Sequence, residues 1–77
     1  MSRAQSIRDK FAALEPDVLL QVSYDATVVR LPYTFAAAVF NPGTWTWDVY
    51  PSGLDVPSDQ YEVYTDQRLV EDLKYLL

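Results

Sequence analysis

Residues 44–50 read Thr-Trp-Thr-Trp-Asp-Val-Tyr, and no other part of the chain alternates large apolar and polar side chains so regularly. A period of two is typical of a strand that buries one face. The pattern predicts one face with Trp45, Trp47 and Val49, and an opposite face with Thr44, Thr46, Asp48 and Tyr50. A second layer has to cover the indole rings if that face forms part of the core.

The segment before this strand supplies a turn and an ambiguous element. Residues 41–44 read Asn-Pro-Gly-Thr, with proline and glycine at the centre, which predicts a type II turn. Residues 33–40 admit a short helix, because three consecutive alanines follow Thr34, a good N-cap. The flanking Phe35, Val39 and Phe40 fit a buried strand equally well. The turn favours a hairpin with residues 44–50, so we expect a strand.

The first part of the chain predicts a helix. Ser2 and Gln5 have the spacing of a capping box. Pro16 ends the helix, because the residue before a proline disfavours helical backbone. Apolar side chains form one stripe at helical spacing: Ala4, Ile7, Phe11 and Leu14.

A hairpin is expected next. Residues 18–24 alternate as a strand, Asp25 and Ala26 make a tight turn, and the β-branched residues 27–31 return as a second strand that ends at Pro32. The first strand places four side chains on one face: Val18, Leu20, Val22 and Tyr24.

The last third of the chain has two interpretations. Residues 61–64 are mostly strand formers, and Thr65 or Asp66 can cap a final helix. The rival is one helix that begins near Ser58 and runs to the end of the chain. If helical, the acids at positions 55, 59, 62 and 66 would line one face. We prefer strand then helix. That helix would bury a stripe of Leu69, Val70, Leu73, Leu76 and Leu77, and would pair Arg68 with Asp72 and Glu71 with Lys74.

Taken together, these elements predict one α+β domain over residues 1–77. We expect a small antiparallel sheet of three to four strands, packed with an N-terminal and a C-terminal helix. The longest uncharged run, residues 31–47, is too short and too broken by proline, asparagine and glycine to span a bilayer. The first residues lack the apolar run of a secretory signal, so we expect a cytoplasmic protein.

The composition removes most kinds of catalytic and metal site. The chain has no cysteine and no histidine, so it lacks thiolate and imidazole as nucleophile, base or metal ligand. Its only glycines are Gly43 and Gly53, so there is no glycine-rich phosphate loop. The order of Asp55, Asp59 and Glu62 does not match a calcium loop. We therefore expect a protein that is not an enzyme, without catalytic residues, cofactor or metal.

Charge is distributed unevenly along the chain. The net charge is −5, but residues 11–67 hold eight acids against one base, Arg30. Contact with phosphates needs a basic surface, so direct binding to nucleic acid is disfavoured. A larger protein with a basic surface is the expected partner, because this field would steer its association.

The candidate partner-binding residues come from the base-free part of the chain between Asp48 and Asp66. They are five acids and two tyrosines: Asp48, Asp55, Asp59, Glu62, Asp66, Tyr50 and Tyr64. A partner's arginines could meet the carboxylates bidentately, as they meet phosphates in a site that holds nucleic acid. The alternative is a solvated surface that only maintains solubility. Trp45 and Trp47 likewise admit two roles, a core pair or a binding hot spot.

Two functions therefore stay open, with a small-ligand domain as a third. The leading one is an inhibitor or adaptor that docks on a basic, often nucleic-acid-binding, site. In size and acidity the chain is similar to phage-encoded inhibitors of bacterial defence systems, anti-CRISPR proteins among them, although no motif is shared. The alternative is an assembly subunit, including a homodimer, that pairs a free strand edge at residues 27–31 or 61–64. This third possibility, a small-ligand or enzymatic domain, would require a concave apolar pocket.

Overall fold

The computed structural model of the chain describes residues 2–77, which form two helices and one five-stranded sheet. The expected α+β class is confirmed, with five strands in place of three to four. A short 3-10 turn, Pro57–Asp59, precedes the last strand. The elements in chain order are α1 (Arg3–Leu14), β1 (Gln21–Val22), β2 (Val28–Arg30), β3 (Ala37–Asn41), β4 (Thr46–Tyr50), β5 (Tyr61–Val63) and α2 (Asp66–Tyr75).

The sheet is an antiparallel meander in which each strand pairs with the next one along the chain. Its longest pairing joins β3 to β4, where Ala38 lies opposite Val49 and Phe40 opposite Trp47. On the other side of β4, Trp47 pairs with Val63. The apolar face predicted from the alternation in β4 therefore continues across the neighbouring strands.

Both helices cover that one face of the sheet. The buried cluster combines α1 and α2 side chains with inward residues of the strands, and Trp47 is 1% exposed within it. Side chains of the opposite parity are absent from this cluster, so neither described helix packs on the second sheet face, where Ala37 and Thr46 are nevertheless buried. We call this second face the open face. The buried centre contains Ile7, Phe11, Val29, Ala38, Trp47, Val49, Val63, Leu69, Val70 and Leu73.

The predicted caps of the two helices are confirmed. The hydroxyl of Ser2 accepts the Gln5 amide at 3.1 Å, and the hydroxyl of Thr65 accepts the Arg68 amide at 3.0 Å. Because β5 ends at Val63 and Thr65 caps α2, the rival helix that would begin near Ser58 is wrong. Strand-forming residues before a strong N-cap explain the outcome.

Within α2, one predicted ion pair forms and one does not. Arg68 Nε lies 3.0 Å from Asp72 Oδ1, as the spacing of four predicts. Glu71 accepts a hydrogen bond from Gln67 instead, and Lys74 makes no ion pair within the part of the chain that the structure describes. Leu77 is 49% exposed and lies beyond the buried stripe.

The expected strand over residues 18–24 is shorter than its alternation suggests, since β1 contains only Gln21–Val22. Side chains of the following turn bond to the backbone: Ser23 Oγ accepts the amides of Thr27 and Val28, and Asp25 Oδ1 accepts the amide of Thr27. These local bonds favour a turn over further strand pairing. The hydroxyls of Thr27 and Ser23 also donate to Asp25 Oδ1, and these two bonds are the chief reason that the pKa of Asp25 is lowered.

The β3–β4 hairpin confirms a strand for the second half of residues 33–40, but its turn differs from the expectation. A type II turn needs a positive φ at Gly43, and Gly43 does not have one. The residue of this loop with left-handed backbone is Trp45, with φ 59°. The carboxamide of Asn41 accepts the Gly43 amide at 3.0 Å and fixes the loop. Asn41 pairs with Thr46, so the loop contains four residues and β4 begins two residues later than predicted.

No helix among residues 2–77 has both the length and the apolar character needed to cross a membrane.

Candidate partner-binding surface

The open face of the sheet places two of the candidate acids side by side. Asp48 of β4 lies directly opposite Glu62 of β5 and, on its other side, opposite Val39 of β3. Directly opposed like charges on a sheet face destabilise it. The side-chain amide of Gln60 donates to Asp48 Oδ1 at 3.1 Å, but neither acid has an ion pair within residues 2–77. The face therefore holds two carboxylates together without a neutralising base.

Tyr50 occupies the next outward position on β4 and is half-buried. It lies opposite Ala37, which is fully buried without belonging to the central core cluster. Arg30 lies opposite the other side of Ala37 and is exposed. The open face thus changes along its strands from an acidic row at Asp48 to a row with an aromatic ring and a cation.

The connection from β4 to β5 carries two further candidate acids, Asp55 and Asp59. Both are exposed, and Asp59 accepts a hydrogen bond from the Ser52 hydroxyl at 2.6 Å. Gln60, the residue after Asp59, reaches Asp48 and ties the end of this connection to the open face. We call Asp48, Asp55, Asp59 and Glu62 the acidic surface.

Tyr64 and Asp66 lie at the opposite end of the strands, after β5 and at the start of α2. Asp66 Oδ1 accepts the indole N–H of Trp47 at 2.9 Å and a guanidinium N–H of Arg3 at 3.1 Å. Partial burial of Asp66 opposes its charge, but these two hydrogen bonds and the charges of Arg3 and Lys10 outweigh it and lower its pKa. Among the seven candidates, Asp66 is thus the one that an internal ion pair already engages.

Arg3 also stands among aromatic rings that the sequence did not associate with it. Its guanidinium carbon is 3.9 Å from the ring centre of Phe40, 5.3 Å from that of Trp47 and 5.6 Å from that of Trp45. No sequence signal could find this cluster, because Arg3 and Asp66 are 63 positions apart.

The two tryptophans have different roles. Trp47 is a core residue, whereas Trp45 lies in the hairpin loop with 68% of its surface exposed. The Trp45 ring packs edge-on against Phe40, with the ring centres 5.1 Å apart. The prediction that both rings share a strand face is therefore wrong for Trp45, because its left-handed backbone lies outside β4. Of the two indole rings, that of Trp45 is the one exposed to solvent.

A groove of about 540 Å³ was not predicted and lies between the β2–β3 and β4–β5 connections. Its walls include Arg30, Tyr33 and Phe35 on one side and Asp55 on the other. Tyr33 and Phe35 are largely exposed, and Gly53 fits closely under Phe35, where a side chain would meet its carbonyl oxygen at 3.2 Å. The groove mixes charged, polar and apolar walls.

Chemically, the acidic surface can accept hydrogen bonds from guanidinium and ammonium groups. The described residues contain no group of three or more acids arranged to hold a metal ion.

Tyr61, on the helix-covered face, donates to Asp72 at 2.8 Å, and burial together with this bond raises its pKa to about 12. No family model, no curated protein and no solved structure matches this chain.

Proposed function

We propose that this chain is a non-enzymatic binding protein that docks its acidic surface on a basic site of a larger protein. The observation that supports this most is the pairing of Asp48 with Glu62 on the sheet face that α1 and α2 do not cover. A fold that needed this face only for solubility would gain stability by placing a base at one of the two positions.

A cationic partner would remove the repulsion that the free protein bears. Two carboxylates on adjacent strands are about 5 Å apart at Cβ, which suits the two-pronged hydrogen bonding of a guanidinium. Asp55 and Asp59, both exposed, extend the negative potential along the adjoining connection. The net charge of −5 would accelerate the encounter with such a partner and discourage anionic ones.

In its most specific form, the proposal is an inhibitor or adaptor that occupies a nucleic-acid-binding site in the cytoplasm. Basic grooves on proteins commonly exist to hold phosphates, and fixed carboxylates can stand at phosphate positions. Phage inhibitors of bacterial defence systems work in this setting, and the similarity in size and acidity supports that comparison.

The test compares two triple charge reversals with the same net charge. One replaces Asp55, Asp59 and Glu62 with lysine, and the control replaces Asp9, Asp17 and Glu71, three exposed acids outside the acidic surface. Affinity for an arginine-rich peptide is measured at low and high salt. We expect the first triple to lose binding and the control to keep most of it, with wild-type affinity falling as salt rises. Equal losses in the two triples, or salt-independent binding, would refute the proposal.

The second candidate is an assembly subunit that pairs through a strand edge. Within residues 2–77, β5 pairs only with β4 and leaves its outer edge open. Residues 27–31 contain β2, which lies inside the sheet between β1 and β3 and offers no edge. The edge of β5 has three residues and carries Glu62, and short charged edges resist self-pairing. Sedimentation across a wide concentration range decides this point, since a strict monomer excludes it.

A further inference from the structure

The contacts of Arg3 have the geometry of a receptor for a planar cation. Its guanidinium stacks on Phe40 at 3.9 Å, lies near the two indole rings and donates to the Asp66 carboxylate. Rings that converge on one cation are the arrangement by which proteins recognise arginine and alkylammonium groups. Here the cation belongs to the chain itself.

Packing in the core does not explain the position of Trp45. Its φ of 59° is unusual for a bulky residue, and 68% of its surface faces solvent. Strained residues of this kind occur where a fold presents a group for function. Beside Trp45 lies an open depression of about 150 Å³, with Tyr64 and Thr65 on its rim. Tyr64 is 73% exposed.

We propose that Phe40, Trp45, Trp47 and Asp66 form an arginine-binding site that Arg3 fills in the free protein, and that an arginine of the basic partner takes its place. This site rests on the proposed function, because it names the side chain by which the partner is held. The incoming guanidinium regains the stacking and the Asp66 bond. In addition, a chain that arrives from solvent covers Trp45 and Tyr64, which Arg3 leaves exposed.

The exchange requires little unfolding. Arg3 is the first residue of α1, where the amide groups lack helical partners and the helix end frays readily. The anchors of α1, Ile7 and Phe11, are fully buried in later turns and need not move. A planar cation is required for simultaneous stacking and hydrogen bonding, so the site prefers arginine to lysine.

The test titrates N-acetyl-arginine methylamide, and its lysine counterpart, into the wild-type chain and the Arg3→Gln variant, while the indole N–H signals of Trp45 and Trp47 are followed by NMR. We expect Arg3→Gln to bind the arginine compound about tenfold more tightly than wild type, because the internal competitor is gone. The lysine compound should bind about tenfold more weakly. Equal affinities for wild type and Arg3→Gln, or for the two compounds, would overturn the site.

A second variant keeps the test decisive if Arg3→Gln is too unstable to titrate. Trp45→Ala should weaken binding of an arginine-rich peptide to the otherwise wild-type chain about tenfold. Tyr24→Ala, which removes a fully exposed ring from the β1–β2 turn, should leave the affinity unchanged. Equal affinities of these two variants would overturn the site.

The two proposals fail separately. If the arginine compound binds at Trp45 but the triple reversal of Asp55, Asp59 and Glu62 loses no more peptide affinity than its control, only the role of the acidic surface is refuted. If the reversal abolishes peptide binding while Trp45→Ala and the arginine compound show no effect, only the arginine site is refuted.

Discussion

Replacing Asp66 with alanine should destabilise the protein by about 1.5–5 kcal/mol. The change leaves the indole N–H of the buried Trp47 without its acceptor, which costs about 1–3 kcal/mol. It also breaks a partly exposed ion pair with Arg3, worth about 0.2–1 kcal/mol. Finally, it removes a negative charge from the first turn of α2, worth about 0.3–1 kcal/mol. Against an expected total of about 4–12 kcal/mol for a chain of this length, the loss is large.

Asp66→Asn separates these contributions. Its carbonyl oxygen can still accept the Trp47 N–H, while the ion pair and the charge at the helix start are lost, so we expect a cost of about 1 kcal/mol. Asp9→Ala is the control, because Asp9 is exposed and its hydrogen bond comes from the exposed side chain of Gln5. It should change the free energy of unfolding by less than about 0.5 kcal/mol.

Urea unfolding followed by circular dichroism measures all three variants, since fluorescence would also report the local change at Trp47. Equal losses for alanine and asparagine at position 66 would refute the role of the Trp47 bond. A loss below about 1 kcal/mol for Asp66→Ala would refute the whole assignment of Asp66 as the tie between α1, β4 and α2.

Three further predictions concern pH and the β4–β5 connection. Because the folded-state pKa of Asp66 is lowered, the contribution of its charge to the free energy of unfolding is complete above about pH 4 and is lost as the pH falls. The difference in stability between wild type and Asp66→Asn should therefore shrink from about pH 4 downward, and an unchanged difference would contradict this. The pKa of Tyr61 is raised to about 12, so the contribution of its neutral hydroxyl to the free energy of unfolding is complete below about pH 10 and is lost between about pH 10 and pH 12. Tyr61→Phe should remove this loss of stability from unfolding curves measured at alkaline pH. Gly53→Ala should cost about 1–3 kcal/mol by thermal unfolding, because φ is 107° and the new Cβ would lie 3.2 Å from the Phe35 oxygen. Gly43→Ala, with no positive φ and only the Asn41 side chain nearby, should cost less than half of that.

Local patterns predicted the parts of the fold that depend on neighbouring residues. Ser2 and Thr65 cap their helices because the residues that they contact are three positions away. Trp47 and Val49 are buried because alternation fixes the side of the sheet that each occupies. The same reasoning failed at Trp45, since it assumed that the strand began before the four-residue loop had ended.

The candidate site depended on information that the sequence does not display. Asp48 and Glu62 became neighbours only through the register of β4 with β5, which the packing of the intervening connection determines. Arg3 meets Asp66 because α1 and α2 start near one another against the sheet, a relation without a local signal. The groove between the two connections arises from the close fit of Gly53 and Phe35, which only the folded backbone brings together.

The most direct test of the central claim is to map where a basic partner touches the protein. Amide signals of the isotope-labelled wild-type chain are followed while an arginine-rich peptide is added at low salt. The acidic surface predicts the largest shifts at Val39, Asp48, Glu62 and the β4–β5 connection, the arginine site adds shifts at Trp45 and Tyr64, and all of them should be lost at high salt. Shifts centred on the outer surfaces of α1 and α2, or spread evenly over the chain, would contradict it.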